Sequence, residues 1–465
     1  MTHHRLKQLR DLAGALRLHL HFRGIEHGTR EELEAYQQQQ LRKVARHALQ
    51  HSKGYARHCE GTNLDGEFSL QDLPITNKRM MMENFDEWVT DPRLKLADIE
   101  QQIINDPEDQ YYLGEYRIVA TSGSSGLRGI FVYDRPEWQV VIAGALRWAE
   151  MFGVSPIGLS TKKLASVKAD KATHATSRLG QSMELGMPNL LMLDATKPLD
   201  ELVNELNEFQ PKLFMGYASL IGLLAIEQLE GRLDIRPEMV ASFSEMLGPD
   251  RVARAQQAWG ITPFNHYGAA EQVMIAADCD AHMGLHHFAD MSLVEIIDED
   301  GRPVPPGTPG HKILLTNLHR FVQPVIRYEI TDLVTERPGA CDCGRPFPLF
   351  SEIGGRTEDI ISLPAAGGGR VSISPMLIFD CMIGDADVAE YQYRVDGSCL
   401  AIQIVARRGA NGEQMKDALV QSLEAALRTQ GARDFTIAIT FQDRFVRTGA
   451  TMGKLKLTTV SKPGQ

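Results

Sequence analysis

The stretch TSGSSGLRGIF, Thr121 to Phe131, packs three glycines and four hydroxyl side chains between two β-prone segments, EYRIVA and IFVYD. Glycine lacks a Cβ, so backbone N–H groups can turn into a concave surface, and rotatable Ser and Thr hydroxyls add donors, a combination suited to a phosphate chain. Thr121, Ser122, Ser124 and Ser125 would supply the hydroxyls, while Gly123 and Gly126 would permit close backbone approach. The loop is not a Walker A loop, because no Gly-Lys-Ser/Thr follows it and a strand rather than a helix comes next. A plain Ser/Gly hairpin turn accounts for the same composition, so other parts of the chain must decide.

A second group of residues suits a soft metal. Cys341 and Cys343 sit in GACDCGRPFP, and Cys279 with His286 sits in CDAHMGLH, about sixty residues upstream. Three thiolates and one imidazole fit tetrahedral Zn²⁺. His282 and His287 compete with His286 for the fourth position, and buried free thiols are the alternative to a metal site. Six cysteines in 465 residues do not make a disulfide scaffold.

The elements that must position these residues follow from pattern. The length calls for two or more domains. The 43% apolar content is ordinary, and a formal charge of −11 argues against a nucleic-acid partner. Charges interrupt every apolar run well before the roughly 20 residues a bilayer needs, so no membrane span and a cytoplasmic location are expected. Near the N-terminus, Leu6, Leu9, Leu16 and Leu20 recur at near-helical spacing among Arg5, Lys7, Arg10, Arg17 and Arg23. That predicts a basic amphipathic helix packed on its own domain, with docking to a membrane or a partner as the alternative. Up to about Asp72 the chain reads as helices and loops; beyond it, apolar runs such as KLFMGY and MVASFS alternate with helical segments, including one from Pro249 to Trp259. This is α/β alternation, which favours sheets covered by helices. Met291 to Asp332 turns β-rich, and the segment after Gly355 reads as a small α+β unit of about a hundred residues.

Four further stretches then join the opening loop in order: NHYGAAEQ at Asn265–Gln272, RYEITDLV at Arg327–Val334, GGRTEDII at Gly354–Ile361 and TMGKLKL at Thr451–Leu457, with SFSEML preceding them. In this order they resemble the core motifs of the adenylate-forming superfamily of acyl-CoA synthetases, most nearly the phenylacetate-CoA ligase-like branch that also holds coenzyme F390 synthetases. The resemblance runs from about Leu73 to Lys456. It implies that the opening loop holds the β- and γ-phosphates of ATP, that Tyr267 and Gly268 flank adenine, and that Glu271 ligates Mg²⁺. It further implies that Asp332 takes the ribose hydroxyls, that Arg356 lies near the nucleotide, and that Ser244 and Glu245 lie along the adenine pocket. Glu358 falls at the hinge position, where most relatives carry Asp or Lys. Lys454 matches the catalytic lysine, with Lys456 as the fallback. A similar cysteine and histidine set binds metal in that branch.

The fold expected is an α/β adenylate-forming architecture: a large N-terminal domain of sheets flanked by helices, residues 1–354, and a small mobile C-terminal α+β domain, residues 355–465. The function expected is ATP- and Mg²⁺-dependent activation of a small carboxylic acid as acyl-AMP, followed by transfer to coenzyme A. Transfer to a carrier protein or amine, and adenylyl transfer to a hydroxyl as in F390 synthesis, are the alternatives, and a catalytically dead nucleotide-binding protein is the reading from another class. A homodimer is left open. The opening loop lacks the lysine of many relatives and carries Arg128 instead. Between it and NHYGAAEQ the run LASVKADKATHATSRL, with Lys168, Lys171 and His174, replaces the Gly- and aromatic-rich run of phenylacetate ligases, which argues against phenylacetate as the acid.

Overall fold

The computed structural model describes residues 3–62, 68–105, 111–121, 127–155, 159, 161–168, 172–186, 188–448, 454–455 and 458. Its centre is a nine-stranded sheet. Five neighbouring strands run parallel, in the order Leu190–Asp194, Leu164–Lys168, Leu213–Gly216, Met239–Phe243 and Phe264–Tyr267. Four antiparallel strands, Ala276–Ala277, Leu285–His287, Leu349–Arg356 and Asp332–Arg337, extend it. Parallel strands need crossovers, which the helices Leu199–Phe209, Ala218–Leu229 and Pro249–Trp259 supply. Strands covered on both faces read as continuous apolar runs, and Met239–Phe243 is buried at every residue. The helix expected from Pro249 to Trp259 is present with those bounds: Pro249 stands in its first turn, and Gly260 ends it at φ 71°.

The opening loop of the sequence joins two antiparallel strands, Arg117–Ala120 and Ile130–Tyr133, both fully buried. A three-stranded antiparallel sheet, Ser292–Ile297, Lys312–Asn317 and Tyr328–Ile330, forms the β-rich segment and leads into Asp332. Beyond Arg356 a separate core gathers Ile361, Leu363, Phe379, Leu400, Ile402 and Leu423. It lies between the helices Pro375–Ile383 and Gly412–Thr429 and two small sheets. The strand Leu349–Arg356 runs through the expected boundary at residues 354 and 355 and carries the chain from the large sheet towards the small unit.

The N-terminal helix His3–Glu26 lies on the large domain, but not through its leucines. Leu6, Leu9, Leu16 and Leu20 are exposed, Leu20 at 65%, while Gln8, Asp11, Ala15, His19, Phe22 and Glu26 are buried. Asp11 explains the choice. Its carboxylate accepts from Tyr111 Oη and Arg117 Nη2 at 3.0 Å each and from Arg135 Nη2 at 2.8 Å, so the polar face finds full partnership inside. Among the described residues, no helix is long and apolar enough to cross a membrane.

A second buried ion group joins four segments of the large domain. Arg147, on the helix Arg135–Met151, donates from Nη1 and Nη2 to Asp290 at 2.8 and 2.5 Å. Its Nε lies 3.2 Å from Glu26, whose other oxygen accepts from Arg345 at 2.5 Å. Asp290 is fully buried, so removal of its partner leaves a bare charge in the interior. We expect Arg147→Ala to cost about 3–5 kcal/mol in chemical denaturation, and Leu20→Gln on the exposed stripe less than about 0.5 kcal/mol. Equal effects of the two substitutions would contradict this packing.

Candidate active site

Five of the sequence-predicted residues sit at or just beyond the carboxyl ends of the parallel strands, where open α/β sheets bind ligands. Met239–Phe243 leads to Ser244 and Glu245, and Phe264–Tyr267 leads to Gly268 and Glu271. With Asp332, Arg356, Thr121 and Lys454 these residues line one cleft of about 1730 Å³. Widely separated motifs therefore meet in one place.

Three of them form a hydrogen-bonded chain. Tyr267 Oη donates to Asp332 Oδ2 at 2.6 Å, and Arg356 Nε lies 3.0 Å from Asp332 Oδ1. Asp332 and Arg356 are register partners between the edge strand Asp332–Arg337 and its neighbour, so the ladder itself sets the ion pair. Burial, then the Asp332 charge, pushes the Tyr267 hydroxyl well above its usual range, which keeps it a donor. Arg356 is held more firmly protonated by Asp332 and also lies 3.7 Å from Glu358, in the short turn Thr357–Asp359.

The turn bearing Glu271 is fixed along its length. A Cβ on Gly268 would come within 2.0 Å of the Val273 carbonyl, so only glycine fits. Ala269 N donates to Gln272 O at 2.9 Å, Tyr133 Oη to Ala270 O at 2.6 Å, and Arg320 Nη1 to Glu271 O at 3.0 Å. The Arg320 guanidinium lies over the Tyr133 ring, 4.0 Å from its centre. The Glu271 side chain is itself buried, and burial with the nearby Glu271 charge raises the Tyr328 hydroxyl far above its usual range. Among the described residues no Lys or Arg lies within ion-pair distance of the Glu271 carboxylate, which suits it to a hard cation. Sequence reasoning missed Arg320, which stands in no recognisable motif, and gave no role to Tyr328, although it lies in RYEITDLV four residues before Asp332.

Lys454 reaches the cleft from near the end of the chain. Its Nζ stands 6.0 Å from the centre of the Tyr217 ring. Burial, then the Arg356 charge, pulls its ammonium down to about 8, against the opposing charges of Glu245 and Asp332. The neighbouring amide, Leu455 N, donates to Glu245 Oε1 at 2.8 Å. Ser244 takes a positive φ of 65°, and it lines the cleft beside Glu245, whose carboxylate is engaged by backbone amides.

Ser122, Gly123, Ser124, Ser125 and Gly126 lie outside the described residues, as do Gly453 and Lys456. The ends of the glycine-rich loop are defined: Thr121 N donates to Gly129 O at 2.9 Å, and Gly129 N to Thr121 Oγ1 at 2.7 Å. Arg128 Nη2 lies 3.5 Å from Thr173 Oγ1. Lys168 and His174 are buried, with Lys168 Nζ donating to Ser177 Oγ at 3.0 Å. Burial and the Lys454 and Lys168 charges hold His174 neutral, well below its usual range. Lys171 lies outside the described residues.

The four soft ligands also converge. Cys279, His286, Cys341 and Cys343 present ligand atoms within 4.8 Å of one another. Cys279 Sγ lies 3.7 Å from Cys341 Sγ, and His286 Nε2 lies 3.3 Å from both Cys279 Sγ and Cys343 Sγ. Ligands of a tetrahedral zinc stand about 3.5–3.8 Å apart, so the quartet fits the ion. The competing histidines are occupied elsewhere, His282 with Asp278 at 2.5 Å and His287 with Ser292 at 3.1 Å.

No family model matches the chain. It is 27% identical over 363 residues to the phenylacetate-coenzyme A ligase of Escherichia coli, covering 72% of this chain and 74% of that one. To the phenylacetate-coenzyme A ligase of Thermus thermophilus it is 24% identical over 347 residues, covering 71% and 72%. Among solved structures it resembles 2-hydroxyisobutyryl-CoA ligase in its postadenylation state, with a TM-score of 0.75 and 19% identity over 94% of this chain and 92% of that one. Against the same ligase in its thioesterification state the TM-score is 0.58, with 19% identity over 95% and 92%. The α/β architecture expected from the sequence is thus the one present, and the chain is distantly homologous, at 24–27% identity, to phenylacetate-CoA ligases over most of its length.

Proposed function

We propose that this protein activates a carboxylic acid with ATP and passes the acyl group to the thiol of coenzyme A. The observation that carries the reading is the meeting of Tyr267, Asp332, Arg356 and Lys454 in one cleft, from four motifs spread over nearly two hundred residues. In the first step a carboxylate oxygen attacks the α-phosphorus, the bond to the β-phosphate bridge breaks, and pyrophosphate leaves. In the second the thiol adds to the acyl carbon, the carbon–oxygen bond to AMP breaks, and the thiol proton is lost. Both reactants of the first step are anions, so the site must offset their repulsion as charge moves to the leaving group. Lys454 supplies a point charge between carboxylate and phosphate, Asp332 accepts from the ribose hydroxyls, and Tyr267 with Gly268 flanks adenine. Thr121, with Ser122 to Gly126, cradles the outer phosphates. Glu271 would hold Mg²⁺, which when bound neutralises phosphate charge. The region from Gly355 acts as a mobile domain that turns about Glu358 between the steps.

The test is acid-dependent ATP–pyrophosphate exchange across an acid panel, with coenzyme A, an amine, a carrier protein and a phenol as acceptors in turn. Acid-dependent exchange with a thioester product is expected; AMP attached to a phenol or alcohol without acid-dependent exchange would replace this reading with adenylyl transfer.

Lys454→Ala should lower exchange by about 2.7–4 kcal/mol, on the order of a hundredfold or more, with a smaller change in nucleotide affinity. Supplied with preformed acyl-AMP, it should still form thioester. Because the ammonium is the working form and is lost on the alkaline side, kcat/KM for ATP should fall as pH rises through about 8, and that limb should vanish in Lys454→Ala. Normal exchange by Lys454→Ala with loss in Lys456→Ala would move the role two residues along.

The Cys279, His286, Cys341 and Cys343 quartet is proposed to hold a structural zinc, away from the phosphates. Elemental analysis should find about one zinc per chain, and Cys341→Ser should lose both the metal and thermal stability. Metal-free protein with a melting temperature indifferent to chelator would remove the site.

A further inference from the structure

We infer that Glu245 is the positioning residue for Lys454: its carboxylate clamps the loop that carries the lysine onto the first turn of the helix Ala218–Leu229. The inference rests on the acid-activating reading above and names a residue through which the catalytic lysine is held.

Each carboxylate oxygen of Glu245 takes one backbone amide. Oε2 accepts from Ser219 N at 2.9 Å, and Oε1 accepts from Leu455 N at 2.8 Å. The first amide belongs to the opening turn of Ala218–Leu229, whose N-cap residue, Tyr217, offers no side-chain cap. The first amides of a helix lack intrahelical acceptors and favour an anion, so the carboxylate is anchored by the helix. The second amide belongs to the residue after Lys454. A single rigid carboxylate therefore connects the large domain's core to the loop bearing the lysine, and Leu455 is buried at the junction. The lysine ammonium lies over Tyr217, the residue just before that helix.

The backbone supports the same role. Ser244 occupies the left-handed region at φ 65°, which a serine adopts only against steric cost and which redirects the chain one residue before Glu245. The chain resembles the postadenylation state of 2-hydroxyisobutyryl-CoA ligase at a TM-score of 0.75 and its thioesterification state at 0.58, so the contact is seen in the arrangement that the lysine would serve. The charged groups that face Lys454 are Glu245, Asp332 and Arg356, and the neutral His174 faces it as well. Of these, Glu245 and Asp332 sustain its positive charge while burial and Arg356 work against it. Loss of Glu245 would thus displace the lysine and weaken its hold on the proton.

Hydrogen exchange of the ligand-free, full-length chain tests the contact without any substrate. The Leu455 amide should be protected in the wild type and should exchange at least about tenfold faster in Glu245→Ala. Glu245→Gln, which keeps the size with one acceptor, should be intermediate and guards against a variant that fails to fold. Adenylation should fall by about ten- to a hundredfold in Glu245→Ala, as for loss of a hydrogen bond to a charged group. The alkaline limb of kcat/KM for ATP should move to lower pH. Unchanged Leu455 protection, or an unmoved pH limb with full adenylation in a variant that only melts earlier, would reduce Glu245 to a helix cap and overturn the inference. A wild type without acid-dependent exchange would overturn the acid-activating reading instead, and Leu455 protection would still decide the clamp.

Discussion

A buried ammonium has to be held where two anions meet, and the cleft is arranged around that constraint. Lys454 arrives from near the end of the chain, far in sequence from the charged groups it faces, and burial pulls its pKa down to about 8. Left alone, such a group would shed its proton or its place. The counterweights are Asp332 and Glu245, both set by backbone: Asp332 by its register with Arg356, and Glu245 by the strained turn at Ser244. Arg356 opposes the lysine and stabilises Asp332, so the balance depends on distances that the paired strands Asp332–Arg337 and Leu349–Arg356 fix.

The sheet explains why these groups can be rigid. Five parallel strands deliver their carboxyl ends to one rim, and the buried helices behind them leave little freedom for the turns that follow. Glu271 illustrates this. Ala270, Glu271 and Gln272 are each tied by a hydrogen bond to another part of the large domain, Ala269 is tied within the turn, and Gly268 is made unique by close packing. Away from the cleft, Arg147 joins Asp290 to Glu26 of the N-terminal helix, and Glu26 also pairs with Arg345, two residues beyond Cys343 of the soft quartet.

Much of this was legible in the sequence, and the reasons differ by feature. The strands in KLFMGY and MVASFS could be read because burial writes them as apolar runs, and the Pro249–Trp259 helix because proline and glycine punctuate its ends, whereas Leu164–Lys168 reads as part of the acyl-pocket run. The cleft residues could be read because Tyr267, Glu271, Asp332, Arg356 and Lys454 lie in ordered motifs, and the soft quartet because its residue types announce a ligand set. The face of the N-terminal helix could not. Its leucines make an apolar stripe, yet Asp11 finds three donors inside and turns that stripe to solvent. Likewise, the partners of Glu245 are two backbone amides, which carry no sequence signature, so only the fold reveals what its side chain holds.

The most direct measurement follows oxygen. With an acid that supports exchange, labelled with ¹⁸O in its carboxylate, and with coenzyme A as acceptor, each turnover should place one label in the released AMP, because the attacking carboxylate oxygen stays on the α-phosphorus when the thiol displaces it. Label-free AMP, or label recovered only in pyrophosphate or phosphate, would show that the acyl group never passed through an adenylate and would contradict the account.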